Sequence, residues 1–352
     1  MKAFARLFAA AAVAALAGLS AQALANGSGD GGASKSTSGP SLPTGALVPL
    51  DVAGPLAVAP DGWLYVVDTG TDRVLARLPD GRFRVVAGDG ETGFAGDRGP
   101  AIDAELLKVT DMGFSPNGSL YLADGSRVRV VAPDGIIRTV AGSGQPTSDQ
   151  ALVANGTPAL SAALPAVNGL SLALSPAGVL YVSTGNQILY LRGGRLDAIR
   201  DHITSGFFAG KSLNSFDQVA IDSHNDIDIS DFNGWAIWQI APNGTARQIT
   251  MDSGARRSGG NTSVLERAPA GAVYGESASA LMRIGGDHLE LGYVFNDQIN
   301  GEWFPMTYFA FAPDGTVYAD DIPGGSGFER YQLLVSESAR HVMVLWGQSS
   351  DT

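Results

Sequence analysis

The sequence predicts an all-β protein, a six-bladed β-propeller of four-stranded antiparallel blades. Three observations carry this prediction: one hairpin block recurs six times, its copies are regularly spaced, and the composition is rich in glycine and poor in charge. The copies run from Pro60 to Asp68, Pro116 to Asp124, Pro176 to Thr184, Ser223 to Asp231, Pro269 to Ser277 and Pro313 to Asp321. The third position is Gly62, Gly118, Gly178, Asn225, Gly271 or Gly315, residue types that accept the positive φ of a tight hairpin turn. An aliphatic residue follows two places on, and the next residue is tyrosine in five copies of six. Each copy ends in Asp, Ser or Thr, whose side chain can bond nearby backbone amides and start a loop.

Apolar stretches flank each block. A short strand precedes it, such as Leu56 to Val58, and in the clearest copies a second hairpin follows, such as Arg73 to Gly88 or Arg127 to Gly142. The unit is therefore four strands and three turns. Successive turn residues lie 56, 60, 47, 46 and 44 positions apart, near the about 40 to 50 residues of a propeller blade. The ring is expected over residues 44–348, with the segment Ala46 to Leu50 or the final His341 to Trp346 completing it. Blades packed on both faces need few charges, which fits 16% charged and 45% hydrophobic residues.

The chain ahead of the ring reads as an export signal and a tether. Lys2 and Arg6 precede an apolar run from Leu7 to Leu19, and Ala23-Leu24-Ala25 forms an A-x-A cleavage site, so residues 1–25 are expected to be a signal peptide. Residues 26–43 are mostly Gly, Ser, Thr and Pro and read as a flexible linker. The expected location is secreted, periplasmic or cell-surface, with no membrane span after cleavage. Scarce lysine beside common arginine and alanine hints at a bacterial source. Asn-x-Ser/Thr triplets occur at Asn117, Asn155, Asn243 and Asn261; Asn117 and Asn243 read as turn residues.

Charge and cysteine content exclude whole classes. The net charge of -12 leaves no basic footprint for nucleic acid. With no cysteine there is no disulfide, thiol nucleophile or zinc–thiolate site.

The segment Val86 to Leu106, followed by the Pro116 block and by Val128 to Ser143, resembles NHL-repeat proteins. Their Gly-Phe-x-Gly-Asp-x-Gly-Pro-Ala loop matches Gly93 to Ala101, and their Thr-Val-Ala-Gly ending matches Thr139 to Gly142. The match is close over the first three repeats, and only the hairpin block survives in the last three. The resemblance implies a six-bladed propeller used as a binding scaffold, and it implies no reaction.

Several motifs could carry chemistry. Asp68-Thr69-Gly70 looks like an aspartic-protease motif, but that chemistry needs two such carboxylates and there is one; Asp68 reads as a turn residue. The loop from Asp89 to Asp103 carries Asp89, Glu91, Asp97 and Asp103, oxygen donors of the kind calcium takes; its spacing is not that of an EF-hand, and it reads as a connector. In the fourth block, strand alternation puts Asp226, Asp228 and Ser230 on one face, with Asp228 in the tyrosine slot. A buried carboxylate there needs a partner, either a neighbouring arginine or amide, or a metal or ligand. His202, His224, His288 and His341 are widely separated and form no metal-ligand pair.

Propellers bind at the mouth of the central channel, and the expected ligand-binding set there is Thr110, Asp111, Asn168, Asp217 and Thr307, at or near the starts of the innermost strands. Asp217 and Asn168 resemble two of the four residues, a Glu, two Asn and an Asp, that hold a divalent cation in gluconolactonase-type propellers. The Glu is missing near Gly54, and Thr110 stands at the second Asn position. A histidine-dependent lyase of the streptogramin type resembles this chain in fold class but has seven blades. The sequence thus points to a binding scaffold for a protein, peptide or glycan, with no catalytic residue, metal site or cofactor assigned. The alternative is a metal-dependent hydrolase or lyase of the gluconolactonase-like type, with a divalent cation at the channel.

Overall fold

The computed structural model describes residues 45–145, 147, 152–165, 169–199, 216–231, 236–251, 264–277, 280–285, 288–294, 306–321, 332–338 and 341–347. The expected signal peptide, the linker and Asn168 lie outside them, as do the side chains of Asp217 and Thr307.

Each repeat folds as an antiparallel meander of consecutive strands. The first comprises Ala53–Val58, Leu64–Asp68, Arg73–Arg77 and Phe83–Ala87, with Leu47–Val48 added outside the last. The second comprises Val109–Phe114, Leu120–Asp124, Arg127–Val131 and Ile137–Ala141. The third comprises Ser171–Leu174, Leu180–Ser183, Ile188–Arg192 and Arg195–Ala198, edged by Thr157–Pro158. Phe216–Ile221, Ile227–Asp231, Ala236–Ile240 and Ala246–Met251 form the fourth. Leu265–Arg267, Val273–Ser277, Ala280–Gly285 and His288–Val294 form the fifth. Met306–Phe311, Val317–Asp321, Gln332–Ser338 and His341–Gly347 form the last.

Hydrogen bonding groups these strands into five sheets rather than six separate ones. The fourth and fifth meanders share one eight-stranded sheet, because their outer strands run parallel and pair at Thr250 with His288 and at Met251 with Leu289.

The block turn is the same object in every copy. The third residue has positive φ throughout, from 64° at Asn225 to 93° at Gly62. Its N–H donates to the carbonyl three residues back, as in Gly62 to Ala59 and Gly315 to Ala312. This is a tight turn closed by a left-handed residue, and it sets the register of the two strands it joins. The residue three before the block's first position always pairs with the tyrosine slot: Ala57 with Tyr65, Gly113 with Tyr121, Ala173 with Tyr181, Ala220 with Asp228, Glu266 with Tyr274 and Ala310 with Tyr318.

Apolar side chains on alternating faces of these strands make the core. Among the described residues, buried clusters bridge each meander to the next, for instance Val67, Leu106 and Leu122 between the first two and Ile237, Ile249 and Leu265 between the fourth and fifth. One cluster sets Ala310 of the last meander among Leu56, Leu64 and Phe83 of the first. Neither terminal segment pairs across that junction. Leu47–Val48 lies on the outer edge of the first sheet, His341–Gly347 is the outer strand of the last, and the two sheets meet through side chains. Among the described residues no helix is long and apolar enough to cross a membrane.

Candidate functional site: the central cavity

The residues that end the blocks are structural. Asp68 is fully buried. Its carboxylate accepts the N–H groups of Asp51, Val52 and Gly70 at 3.2, 3.0 and 3.2 Å and the Thr71 hydroxyl at 2.9 Å. Both oxygens are committed to the loop that enters the innermost strand. Asp124 does the same for Leu107 and Lys108 at 2.7 and 3.2 Å.

The acidic loop after the first meander serves an arginine. Arg129, fully buried, donates to Asp97 at 2.9 and 3.1 Å, to the carbonyls of Glu105 and Ala95 at 2.6 and 3.0 Å, and to Asp124 at 3.4 Å. The other oxygen of Asp97 accepts the N–H of Thr139 at 3.0 Å.

The innermost strands of all the meanders converge on a cavity of about 400 Å³. It opens toward the block turns, since Pro60, Pro116, Pro269 and Pro313 belong to its wall. Convergence leaves little room at the position three before each block. Ala57, Gly113, Ala173, Ala220 and Ala310 occupy it in five meanders, and Glu266 occupies it in the fifth. A carboxylate thus enters the lumen where every other strand presents a methyl group or a hydrogen.

Two residues further back, on the same face, a polar belt links adjacent strands. Asp111 accepts from its neighbour Met112 N–H at 2.8 Å and from Leu172 N–H of the third meander at 2.7 Å. Ser171 donates to Gln218 Oε1 of the fourth meander at 2.8 Å. Thr110 donates to the Leu170 carbonyl at 2.9 Å and accepts the Leu170 N–H at 3.2 Å.

The electrostatics of the cavity are those of carboxyls enclosed by protein. Burial pushes Asp111 up to about 6, against the pull of the Leu172 N–H, the Ser171 hydroxyl and the Met112 N–H. Burial also pushes Glu266 well above the usual carboxylate range, and the charge of Asp111 adds to it, while the N–H and guanidinium of Arg267 oppose both. A charge on Asp111 thus makes a second charge on Glu266 less favourable.

Of the residues expected at the channel, Thr110 and Asp111 both clamp the innermost strand of the third meander. Asp217 and Thr307 fall in the innermost strands of the fourth and last meanders. Glu266 was missed. Its signal was a carboxylate at a register that holds Ala or Gly in the other five strands, legible once the six strands are aligned on the block rather than compared at their starts. For a divalent cation the described residues fit poorly. Both Asp111 oxygens accept backbone N–H groups, and among the described residues no three His, Asp or Glu side chains group closely enough to hold a metal ion.

Meanders arranged side by side around a central cavity define a β-propeller with antiparallel sheets. Comparison with known proteins refines this. The Teneurin NHL domain family matches residues 79–163, the stretch that holds the Arg129 loop and the second meander. Teneurin-3 of Mus musculus is 36% identical over 104 residues, 26% of this chain and 4% of that protein, so the chain spans a small part of the curated relative it matches. Among solved structures, a streptogramin B lyase superposes with a TM-score of 0.54 at 10% identity, covering 86% of this chain and 85% of that one. A catalytically inactive virginiamycin B lyase from Staphylococcus aureus with quinupristin gives 0.51 at 11% identity, covering 85% and 86%. U3-55K gives 0.50 at 10% identity, covering 86% and 84%. At such identities the likeness is one of fold. The chain is a β-propeller, and its match to the Teneurin NHL domain family lies within residues 79–163.

Proposed function

We propose that the chain is an exported, six-bladed NHL-type propeller that acts as a binding scaffold, holding a protein, peptide or glycan at the turn-side mouth of its central cavity. The eight-stranded sheet counts as two blades, since it consists of two complete meanders joined by a short parallel pairing. The observation that carries the binding role is Glu266, a carboxyl in the lumen at a register where the other meanders have Ala or Gly. Its carboxyl offers hydrogen-bonding oxygens to the amide or hydroxyl groups of a ligand in a wall of otherwise mostly apolar residues.

The test is to probe the mature chain on peptide and glycan arrays beside Glu266→Ala. The reading expects retained ligands whose signal falls about tenfold in the variant, the loss of one charge-assisted contact. Arrays without signal, or a signal indifferent to Glu266, would sink it. Amino-terminal sequencing of exported protein checks the expected mature start at Asn26.

A second reading, a hydrolase or lyase at the same cavity, is favoured by Glu266, whose carboxyl is held above its usual range by burial and by the charge of Asp111, because such carboxyls suit proton transfer. A metal-dependent form of this reading requires a stoichiometric divalent ion in purified protein that is lost in Asp217→Ala.

A further inference from the structure

The fourth meander breaks the aromatic rule of the ring. Elsewhere the tyrosine slot packs on the neighbouring meander: Tyr65 meets Phe114 edge-on at 4.8 Å between ring centroids, and Tyr274 meets Phe311 at 5.1 Å. Tyr181 joins the cluster that contains Ile221. In the fourth meander the slot holds Asp228, and the apolar receiving position on the next strand is Arg267. Both halves of the contact have changed character.

A pocket of about 420 Å³ lies at Asp228, lined from the fourth and fifth meanders. Asp228 forms its floor and is fully buried. Its Oδ1 accepts from Gln239 Nε2 at 2.9 Å, while its Oδ2, equally buried, has no hydrogen-bond partner. An orphaned buried carboxylate oxygen is costly. The nearby cation makes no bond to it, because the Arg247 guanidinium donates to Gln239 Oε1, with Nε at 3.0 Å. Burial opposes ionisation of Asp228 most, and the charges of Asp222 and Asp226, which line the same pocket, add to it, against the pull of the Gln239 bond and the Arg247 charge. The other charged groups at the pocket are His224, paired with Asp222 at 3.2 Å, and Arg283 from the fifth meander.

We infer that this pocket binds an organic cation, a guanidinium or primary ammonium group on an extended chain, with Asp228 as its anchor and Asp226 nearer the mouth. Carboxylates only accept, and such a cation supplies several N–H donors in one group. The pocket is far larger than a metal ion, and among the described residues no three acidic or imidazole side chains group closely enough to hold one. The site shares no lining residue with the central cavity, so it stands or falls apart from the scaffold reading.

Calorimetric titration of the mature chain at neutral pH tests this, with N-acetyl-arginine amide, agmatine, the neutral isostere N-acetyl-citrulline amide, and calcium chloride. Saturable binding of a guanidinium compound is expected, with the citrulline compound about tenfold weaker or worse. Preference for the arginine amide indicates a peptide side chain as the source, and preference for agmatine indicates a free amine. Asp228→Asn should weaken binding about tenfold while melting no lower than the parent, because it removes a buried charge without a partner. Asp226→Asn, at a partly exposed position, gives the same loss of binding if Asp228→Asn fails to fold. No binding of either guanidinium compound at millimolar concentration, equal binding of the citrulline compound, or stoichiometric calcium in their place would overturn the inference.

Discussion

Replacing Asp111 by asparagine should flatten the pH dependence of stability between about pH 4 and pH 6. Its carboxyl titrates at about 6 in the folded chain, against about 3.9 when unfolded. The folded state therefore holds a proton that the unfolded state releases. The stabilisation from this proton is fully present below the unfolded value and is lost as pH rises through about 6. Two pH units at about 1.4 kcal/mol each make the loss about 3 kcal/mol, or about 5 °C in melting temperature for a ring of this size. Asparagine has one acceptor oxygen, so it gives up one of the two backbone bonds that Asp111 accepts, from Met112 and Leu172. That costs about 1 kcal/mol at every pH and cancels from the slope. Glu266 titrates in the same sense and is relieved when the Asp111 charge is removed, which adds to the flattening. Urea unfolding across the range, parent beside variant, reads the difference directly. The variant should gain on the parent as pH rises. Parallel curves would refute the claim that burial outweighs the hydrogen bonds at Asp111.

Other consequences can be checked in the same way. Arg129→Met leaves the fully buried Asp124 without its cation and frees the carbonyls of Ala95 and Glu105. Removing one partner of a buried pair costs about 3–5 kcal/mol, and limited proteolysis should find new cleavage between residues 89 and 105. Uncut protein with an unchanged melting temperature would refute this role. Gly142→Ala should be severe, because φ is +89° and a Cβ there would lie 2.2 Å from the Ser126 carbonyl oxygen. Gly118→Asn should cost under about 1 kcal/mol, because that turn is open and Asn225 adopts the same conformation in the fourth repeat. Chemical denaturation ranks the two variants, and the reverse order would show that turn chemistry is not what limits these positions.

The fold was legible because a tight turn fixes register. Once Gly62 and its counterparts are read as left-handed turn residues, the pairing of Ala57 with Tyr65 follows in every copy. The joining of the fourth and fifth meanders was not legible, since it rests on two residue pairs at strand ends with no motif of their own. Asp228 was visible as a carboxylate in an aromatic slot, but its orphaned oxygen depends on where Gln239 and Arg247 point. The role of Arg129 could not be read from the chain, because its partners Asp97 and Glu105 lie 32 and 24 residues away. At the channel, comparing the starts of the strands singled out Asp111 and passed over Glu266, which lies nearer the turn end of its strand.

The junction between the last and first meanders has a bearing on how the chain matures. Each meander draws its strands from one contiguous stretch, so its pairing needs only short loops to close and can proceed as the chain emerges. Among the described residues the outer strand of the fourth meander waits for that of the fifth, while neither Leu47–Val48 nor His341–Gly347 waits for the other. What must wait longest is a surface. Leu56, Leu64 and Phe83 on the first meander remain without their cover until Ala310 and Tyr308, five meanders further along the chain, arrive. Throughout that interval an apolar face is open to solvent and to other chains. Substitutions at Tyr308 and Ala310 should therefore affect the yield of soluble protein more than they affect the stability of the finished ring.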